Sequence, residues 1–319
     1  MWRYIARRFL LIGPVLFGVS IVIFVAMQVV PGDVVLIMLM QGGGDSAATA
    51  ENIASLRAKL GTDQPLPLQY ARWVWGLLRL DPGRSLVTDR PIIDDLKYSI
   101  PLTLELALGA TFVALVIAMP VGIVSAVRQG TWLDHIFRVF STAGMAMPVF
   151  WTGTLLIVLT VTLFRWTPSF EYTPPWENIG RNVMQIGPAA LLLGYYLSAA
   201  LSRMLRSSLL DVLGEGYVRT ARAKGLAQRV VIVRHALKNT LLPVLTVWGI
   251  QFGHLLGGVV VVEIVFTLPG LGLVLVNAIT VRDYPVVQTV TVLIALMFAL
   301  VNLAVDLMYA WLDPRIRYT

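Results

Sequence analysis

Three acidic side chains stand inside otherwise apolar stretches of the sequence: Glu105, Glu263 and Asp306. Ionisable groups within membrane-spanning segments are candidate proton or ion sites. A carrier driven by an ion gradient usually places such groups near the bilayer midplane. Glu105 and Glu263 instead lie near the ends of their stretches, and Asp306 is about five residues from an end. The pattern therefore argues against a self-sufficient ion-coupled carrier.

Asp306 shares a helix face with Asn302 and Tyr309, because the three residues are spaced i, i+4 and i+7. This face predicts either a polar contact to a neighbouring helix, for example to an arginine of residues 203–238, or a proton or ion site. The polar contact is favoured because no second midplane charge is present as a partner.

The sequence lacks the residues that metal binding, nucleotide hydrolysis by a P-loop or enzymatic catalysis would require. The chain has no cysteine, which excludes disulfides, thiolate metal sites and a cysteine nucleophile. A P-loop needs Gly-Lys before Ser or Thr, and none of the four lysines follows a glycine. The three histidines do not pair at a metal-binding spacing. An intramembrane enzyme is disfavoured because the apolar stretches hold no nucleophile–base pair or metal cluster.

The elements that carry these residues are long apolar segments. Of the 319 residues, 57% are hydrophobic and only 13% are charged, whereas soluble domains carry about 25% charged residues. Mean hydropathy is +0.76. Since a span needs roughly 20 apolar residues, the sequence predicts an all-α integral membrane protein with six transmembrane helices at about 9–30, 101–127, 139–164, 185–202, 241–266 and 286–311. The first is read as an uncleaved span rather than a signal peptide.

The distribution of basic residues predicts the orientation. With both termini inside, the cytoplasmic segments hold 15 Lys and Arg residues and the short outer loops hold 3. This bias favours an N-in, C-in topology. The net charge of +7 lies between the spans, where anionic lipid, membrane insertion or a protein partner explains it better than nucleic acid.

The long outer loop, residues 31–100, is predicted to be helical. AENIASLRAKL has helical apolar spacing and ends before Gly61, a plausible stop. Pro67 suits the first turn of a second helix, whose apolar face comprises Tyr70, Trp73, Val74 and Leu77. This helix could lie in the membrane interface, pack as a lid on the spans, or dock an outside partner; packing on the spans is favoured.

The largest cytoplasmic loop contains a short amphipathic helix. One helical face carries Tyr217, Thr220, Ala221 and Lys224. Gly225 ends that helix because glycine accepts the left-handed conformation that such a stop requires. Small residues on the face would let another protein approach closely, while contact with anionic lipid is an equal alternative.

Residues 217–226, YVRTARAKGL, resemble the cytoplasmic EAA loop of ABC importer permeases, in the form used by the dipeptide, oligopeptide and nickel group. The general pattern has Glu-Ala-Ala, three residues and Gly. Arg219 and Thr220 replace the first two of these residues, as in the peptide group's own pattern. HALKN at 235–239 also matches.

The likeness covers nearly the whole chain. It includes the N-terminal RYIARRFLLIGPVLFGVSIVIFVAMQVVPGD and LDPGRSL at 80–86, where Pro82 replaces the more usual Leu or Phe. It continues through VVVEIVFTLPGLG at 260–272, RDYPVVQ at 282–288 and VDLMYAWLDPRIRY at 305–318.

The resemblance implies a type I ABC importer permease in a bacterial inner membrane. Its partners would be a second similar permease, two ATPase subunits or one fused pair, an extracytoplasmic binding protein and membrane lipid. The chain itself would hold no cofactor, since ATP and Mg would be bound by the ATPases. Its cargo would be di- or oligopeptides, with nickel chelates, glutathione or another small solute as alternatives. The docking residues would be Tyr217, Thr220, Ala221, Lys224, Gly225 and Leu226.

The same resemblance gives an organisation along the chain. Residues 1–30 form the N-terminal tail and first span, 31–100 the outer loop, 101–311 the core with its coupling loop at 203–239, and 312–319 the tail. The fifth span is expected to border the transport pathway. Gly253 and Gly257 on it allow close helix approach. Glu263, with the LPGLG that follows, would either form part of an outer gate or cap a helix turn.

Overall fold

The computed structural model describes residues 2–29, 49–60, 63–168 and 171–312. Within these ranges the elements are helical, apart from one isolated β-bridge between Arg84 and Pro91. The helices are α1 (Trp2–Val29), α2 (Ala50–Leu60), α3 (Leu66–Leu78), α4 (Ile92–Val127), α5 (Trp132–Ala146), α6 (Val149–Phe164), α7 (Ile179–Leu213), α8 (Gly216–Ala223), α9 (Gln228–Val230), α10 (Leu237–Val265), α11 (Leu271–Val281) and α12 (Tyr284–Leu312). A π-helical segment, Val231–Ala236, joins α9 to α10.

The apolar stretches form helices long enough to cross a membrane. Five helical segments meet that requirement, and a sixth does so if the bent pair α5–α6 counts as one span. The all-helical, multi-span prediction is therefore confirmed. α7 extends well beyond the predicted 185–202, because its arginines lower hydropathy without breaking a helix.

The predicted span at 139–164 is not one straight helix. α5 and α6 are separated at Met147 and Pro148 and bent by 105°. The residue before a proline is disfavoured in the α conformation, and Met147 is extended at φ −92, ψ 131. Proline therefore ends α5, and the prediction of a continuous helix here was wrong.

Small residues allow the two central helices to pack closely. α4 and α7 share a buried core that includes Ala107, Ala110 and Ala114, each with no exposed surface. A Cβ added to Gly194 of α7 would lie 2.5 Å from a Val113 side-chain atom. Such small side chains let neighbouring membrane helices approach closely.

The predicted outer-loop helices are present, and α3 has proline in its first turn as expected. The Tyr70 and Ser20 hydroxyl groups are hydrogen-bonded at 2.8 Å. The centroids of the Tyr70 and Phe24 rings are 5.3 Å apart. The Phe24 ring also stacks on the Trp73 ring, with 6.3 Å between their centroids. α3 thus packs on α1, in agreement with the favoured alternative. Gly61, the predicted stop of α2, lies outside the described residues.

One apolar helix was missed from the sequence. α11 lies between α10 and α12, and it has only 11 residues. This is too short to cross a bilayer, for which roughly 20 residues are needed. Its first turn lies next to Glu263.

Candidate functional site

α8 is a separate two-turn helix between α7 and α9. Lys224 follows its last residue, and Gly225 has φ +75. The Gly225 N–H donates to the Arg222 carbonyl at 2.9 Å. Most residues with a side chain disfavour this left-handed conformation. The predicted helix stop is confirmed.

The inner face of α8 is attached to the ends of its neighbours by apolar contacts. Val218 and Val231 have no exposed surface and Ala221 is 6% exposed. They pack together with Val212 and Leu213 at the end of α7. α8 therefore has a hydrophobic attachment to both adjoining segments of the core.

Burial corrects one residue of the predicted docking face. Ala221 points inward, so it supports α8 rather than forming its outer surface. The helical period explains this, since Val218 and Ala221 are three residues apart and share a face. Thr220, Lys224 and Leu226 are exposed.

Tyr217 lies at the edge of that exposed surface and connects it to α10. The Asn239 side-chain amide donates to the Tyr217 hydroxyl oxygen at 2.8 Å, across 22 residues of sequence. Both residues belong to the sequence motifs described above. The bond holds the start of α8 against the first turn of α10.

The π-helical segment gives α8 its second support. Val231 and Ala236 are five residues apart and both are fully buried. Residues at that spacing align on one face of a π-helix but not of an α-helix. The wider turn therefore keeps both side chains inside, one beside α8 and the other beside Leu209 of α7.

At the other end of α10, Glu263 caps α11. Its carboxyl group has no exposed surface. One oxygen accepts from the Thr103 hydroxyl at 2.7 Å. The other accepts from the Gly272 and Leu273 N–H groups at 2.7 and 3.1 Å. The Leu271 N–H donates to the Thr103 hydroxyl oxygen at 2.9 Å. The capping geometry proposed for Glu263 is present.

Gly249 and Gly253 of α10 face another helix. A Cβ on Gly253 would lie 2.6 Å from the Phe298 ring, and one on Gly249 would lie 2.7 Å from Val305. Both glycines therefore allow close packing of α10 on α12. Gly257 belongs to α10, but its surroundings lie outside the described part of the structure.

An ion pair between a buried carboxylate and a partly buried guanidinium joins α5 to α7. Arg206 donates from Nε and Nη2 to the two Asp134 oxygens at 2.8 and 2.9 Å. The Ser125 hydroxyl and the Gly130 N–H donate to the same carboxylate at 2.5 and 3.0 Å. This cluster could not be predicted from the sequence, because its two charges are 72 residues apart.

Two motifs found in the sequence contact each other directly. The Ser85 hydroxyl donates to an Asp283 oxygen, and the Leu86 N–H donates to the other at 3.1 Å. LDPGRSL and RDYPVVQ thus form one junction between the segment before α4 and the start of α12. Their presence was readable from the sequence, but their pairing was not.

Glu105 of α4 accepts hydrogen bonds from the segment between α6 and α7 and from the start of α7. One of its oxygens accepts from the Tyr172 hydroxyl at 2.8 Å and from the Asn182 amide at 3.1 Å. Burial, together with the neighbouring carboxylate, raises the pKa of the Tyr172 phenol. The Asn182 amide also donates to the Thr173 carbonyl at 3.0 Å. This network fastens the segment before α7 onto α4.

Asp306 makes the polar contact that was favoured for it, but with a different partner. Its carboxylate lies 3.0 Å from Arg8 of α1. The proposed arginine of residues 203–238 was therefore wrong. Within the described ranges, no group of three or more His, Asp or Glu residues is arranged to hold a metal.

Comparisons with known proteins agree with these observations. The profile described as "Binding-protein-dependent transport system inner membrane component" matches residues 118–318. The N-terminal profile of such membrane components matches residues 1–107. The chain is similar to the dipeptide transport system permease protein DppB of Escherichia coli K12, with 38% identity covering 100% of this chain and 99% of the relative.

Two further relatives align with this chain over the full length of both proteins. The DppB protein of Alkalihalophilus pseudofirmus is 36% identical, and the glutathione transport system permease protein GsiC of Escherichia coli K12 is 37% identical. Among solved structures, an inward-facing MetNI methionine ABC transporter matches with a TM-score of 0.57 and 19% identity. That match covers 69% of this chain and 96% of the other, and it shows a shared fold. The chain is a multi-pass inner-membrane protein and belongs to the family of binding-protein-dependent transport system inner membrane components.

Proposed function

We propose that this chain is the permease subunit of an ATP-driven importer that takes up di- or oligopeptides delivered by an extracytoplasmic binding protein. The observation that carries the proposal is α8, a short helix ended at Gly225 and attached to both α7 and the start of α10. The peptide cargo is supported by relatives named dipeptide permeases at 36–38% identity over the full chain.

The proposed topology has six spans, with α5 and α6 forming one broken span and both termini in the cytoplasm. The fold would be of the type I importer class, with residues 31–100 outside and 203–239 inside. A reporter fused after Leu226 should score as cytoplasmic, and one fused after Asp63 as external. The reverse pattern would refute the orientation.

In the proposed mechanism, α8 transmits movement of the ATPases to the spans. ATP and Mg are held by two partner ATPase subunits or a fused pair, and this chain hydrolyses no nucleotide. Movement of α8 reaches α7 and α10 through its buried side chains and through the bond from Asn239 to Tyr217. A second, similar permease completes the pathway.

The proposed docking surface is the exposed part of α8 and its stop: Tyr217, Thr220, Lys224, Gly225 and Leu226. Ala221 supports this surface from beneath. A bulky residue on the surface should keep an ATPase away, whereas one beneath it would disturb the permease itself. The roles of the exposed docking residues and of the buried Ala221 can therefore be tested with separate substitutions.

Thr220→Trp tests the docking surface. Its membrane insertion should be normal, because Thr220 is exposed. Co-purification of the ATPases should fall at least tenfold, and uptake should be lost. Thr131→Trp is the matched control, since Thr131 is exposed at the same end of the bundle but outside α8. Equal ATPase recovery from both variants would refute the docking assignment.

The outer end of the pathway is proposed to include α11 with its Glu263 cap. Because Glu263 and Thr103 connect α10, α11 and α4, movement of α10 would carry α11 with it. Gly253 allows α10 to pack on α12, and it is assigned a packing role at the border of the pathway. Gly257 is assigned to the same border from its position on α10.

Glutathione is the second candidate cargo, because the GsiC relative is 37% identical over its full length. The deciding experiment is uptake of labelled dipeptide and labelled glutathione by the reconstituted importer with its own binding protein. Saturable uptake of the dipeptide, with glutathione neither transported nor competing, supports peptide import. Uptake of glutathione alone would refute it.

A further inference from the structure

A polar chamber with unbalanced positive charge lies between α4, α5 and α7. Its volume is about 420 Å³, and its wall includes the hydroxyl groups of Ser125 and Ser202. Arg138, Arg203 and Arg206 also line it. A chamber of this size lined by hydroxyl and guanidinium groups suits an anionic group.

Two of the three arginines have no acidic partner among the residues that the structure describes. Arg206 is neutralised by Asp134, whose carboxylate already accepts four hydrogen bonds. No ion pair joins Arg138 or Arg203 to a described carboxylate, and the Arg203 contact is to the Met145 sulfur at 2.9 Å. The chamber therefore carries about two uncompensated positive charges.

The chamber adjoins an apolar groove on α5. That groove has a volume of about 470 Å³ and shares Arg138 and Thr142 with the chamber. His135, Val139, Ala143 and Ala146 line its remaining length. A cationic compartment and an apolar one therefore share a wall.

The direction of this arrangement matches a membrane lipid. Asp134 pairs with Arg206 near the α8 end of the bundle, whereas Gly144 lies against Ala199, further along α7. α5 thus runs inward from the α8 end of the bundle, and the groove, which spans His135 to Ala146, continues along α5 past the chamber, whose α5 residues end at Thr142. Trp132, 68% exposed at the start of α5, is of a type enriched at the membrane interface.

We propose that this chamber and groove bind one anionic phospholipid of the leaflet on the α8 side. Its phosphate would lie between Arg138 and Arg203, and one acyl chain would follow the groove past Ala143. The cytoplasmic identity of that leaflet rests on the orientation proposed above, but the site does not depend on the transported cargo. A dipeptide is the competing ligand, although its binding would not require an apolar groove directed into the bilayer.

The test is native mass spectrometry of the complete importer released from nanodiscs that contain phosphatidylglycerol and phosphatidylcholine. Each basic residue near the surface contributes about fivefold to anionic-lipid binding. Arg138→Gln with Arg203→Gln should therefore lower phosphatidylglycerol retention about 25-fold. Arg128→Gln is the matched control, because Arg128 is exposed at the same end and does not line the chamber. Its retention should match that of the unmodified complex.

A groove-filling change separates lipid from free anion. Ala143→Phe should lower phosphatidylglycerol retention to a similar extent with both arginines in place, and size-exclusion chromatography verifies assembly. Unchanged retention in the double arginine variant, or equal loss in Arg128→Gln, would overturn the proposal. So would displacement of the lipid by millimolar inorganic phosphate or by dipeptide, which would assign the chamber to a free anion or to the cargo. Because retention is measured without transport, failure here is distinct from failure of the proposed import.

Discussion

Replacing Glu263 with Gln tests whether the cap of α11 holds the neighbouring ends of α4, α10 and α11 together. The side chain is fully buried and accepts three hydrogen bonds, from Thr103, Gly272 and Leu273. Glutamine has nearly the same shape, but only one of its two terminal atoms accepts hydrogen bonds. Glu263→Gln therefore changes the hydrogen bonding while leaving the packing almost intact.

The expected cost follows from the donors that lose their acceptor. With its oxygen towards the Gly272 and Leu273 N–H groups, the glutamine places an NH₂ group against the Thr103 hydroxyl. The Thr103 oxygen can accept from that NH₂ group, but the Thr103 O–H loses its carboxylate acceptor, at a cost of up to about 1–3 kcal/mol. The cavity beside Glu263 is only about 10 Å³, at the lower limit for one water (about 10–15 Å³). Water is therefore not expected to replace the lost bond.

The assay is thermal unfolding of the purified importer, followed by fluorescence-detected size-exclusion chromatography. Domains of 150–250 residues lose about 2–4 °C per kcal/mol, so in this larger chain we expect a fall of about 2–6 °C. Glu177→Gln is the control, because Glu177 is exposed, and its melting temperature should stay within about 1 °C of the unmodified protein.

A second perturbation reaches the same contact without changing the carboxyl group. A Cβ on Gly270 would lie 2.0 Å from a Glu263 carboxyl oxygen, so Gly270→Ala must displace the cap. Its melting temperature should fall at least as far as that of Glu263→Gln. If Glu263→Gln and Gly270→Ala both have the melting temperature of the unmodified protein, the capping contact does not stabilise the bundle and the reasoning is refuted.

Three further predictions concern contacts elsewhere in the chain. Asp134→Asn leaves the Arg206 guanidinium, which lines the chamber and is partly exposed, without its ion-pair partner and should cost about 1–3 kcal/mol; a thermal shift no larger than that of a surface variant would contradict this. Asp283→Asn removes the charge and one of the two acceptor oxygens that bind the segment before α4, so limited trypsin digestion there should be faster, and an unchanged cleavage rate would count against the junction. Gly225→Ala forces a side chain into φ +75 at a cost of about 1–2 kcal/mol and should reduce uptake while leaving permease assembly intact; full uptake would show that the helix stop is not required.

The sequence alone identified the helical spans because the bilayer imposes a local rule. A helix satisfies its own backbone hydrogen bonds, so a sufficiently long apolar run is enough to predict one. The stop of α8 was readable for a related reason, since Gly225 marks a backbone conformation that other residues avoid. The bend before α6 was also encoded locally at Pro148, although the 105° angle was not.

Other features depended on contacts between distant segments. Asp134 and Arg206 are 72 residues apart, and Ser85 and Asp283 are 198 apart. No periodicity connects such pairs, because their proximity follows from how whole helices pack. The inward direction of Ala221 is a similar case: a helical face can be read from spacing, but which side meets the core depends on where α7 and α10 end.

The sequence thus determined which segments are long and apolar enough to cross a membrane, where the short helix at 216–223 ends and which family the chain resembles. Tertiary structure decided which charges are paired, which face of that helix is exposed and that Arg138 and Arg203 have no acidic partner among the described residues. The difference is physical: backbone hydrogen bonding and side-chain sterics act over a few residues, whereas burial and electrostatic pairing depend on neighbours that only the folded chain brings together.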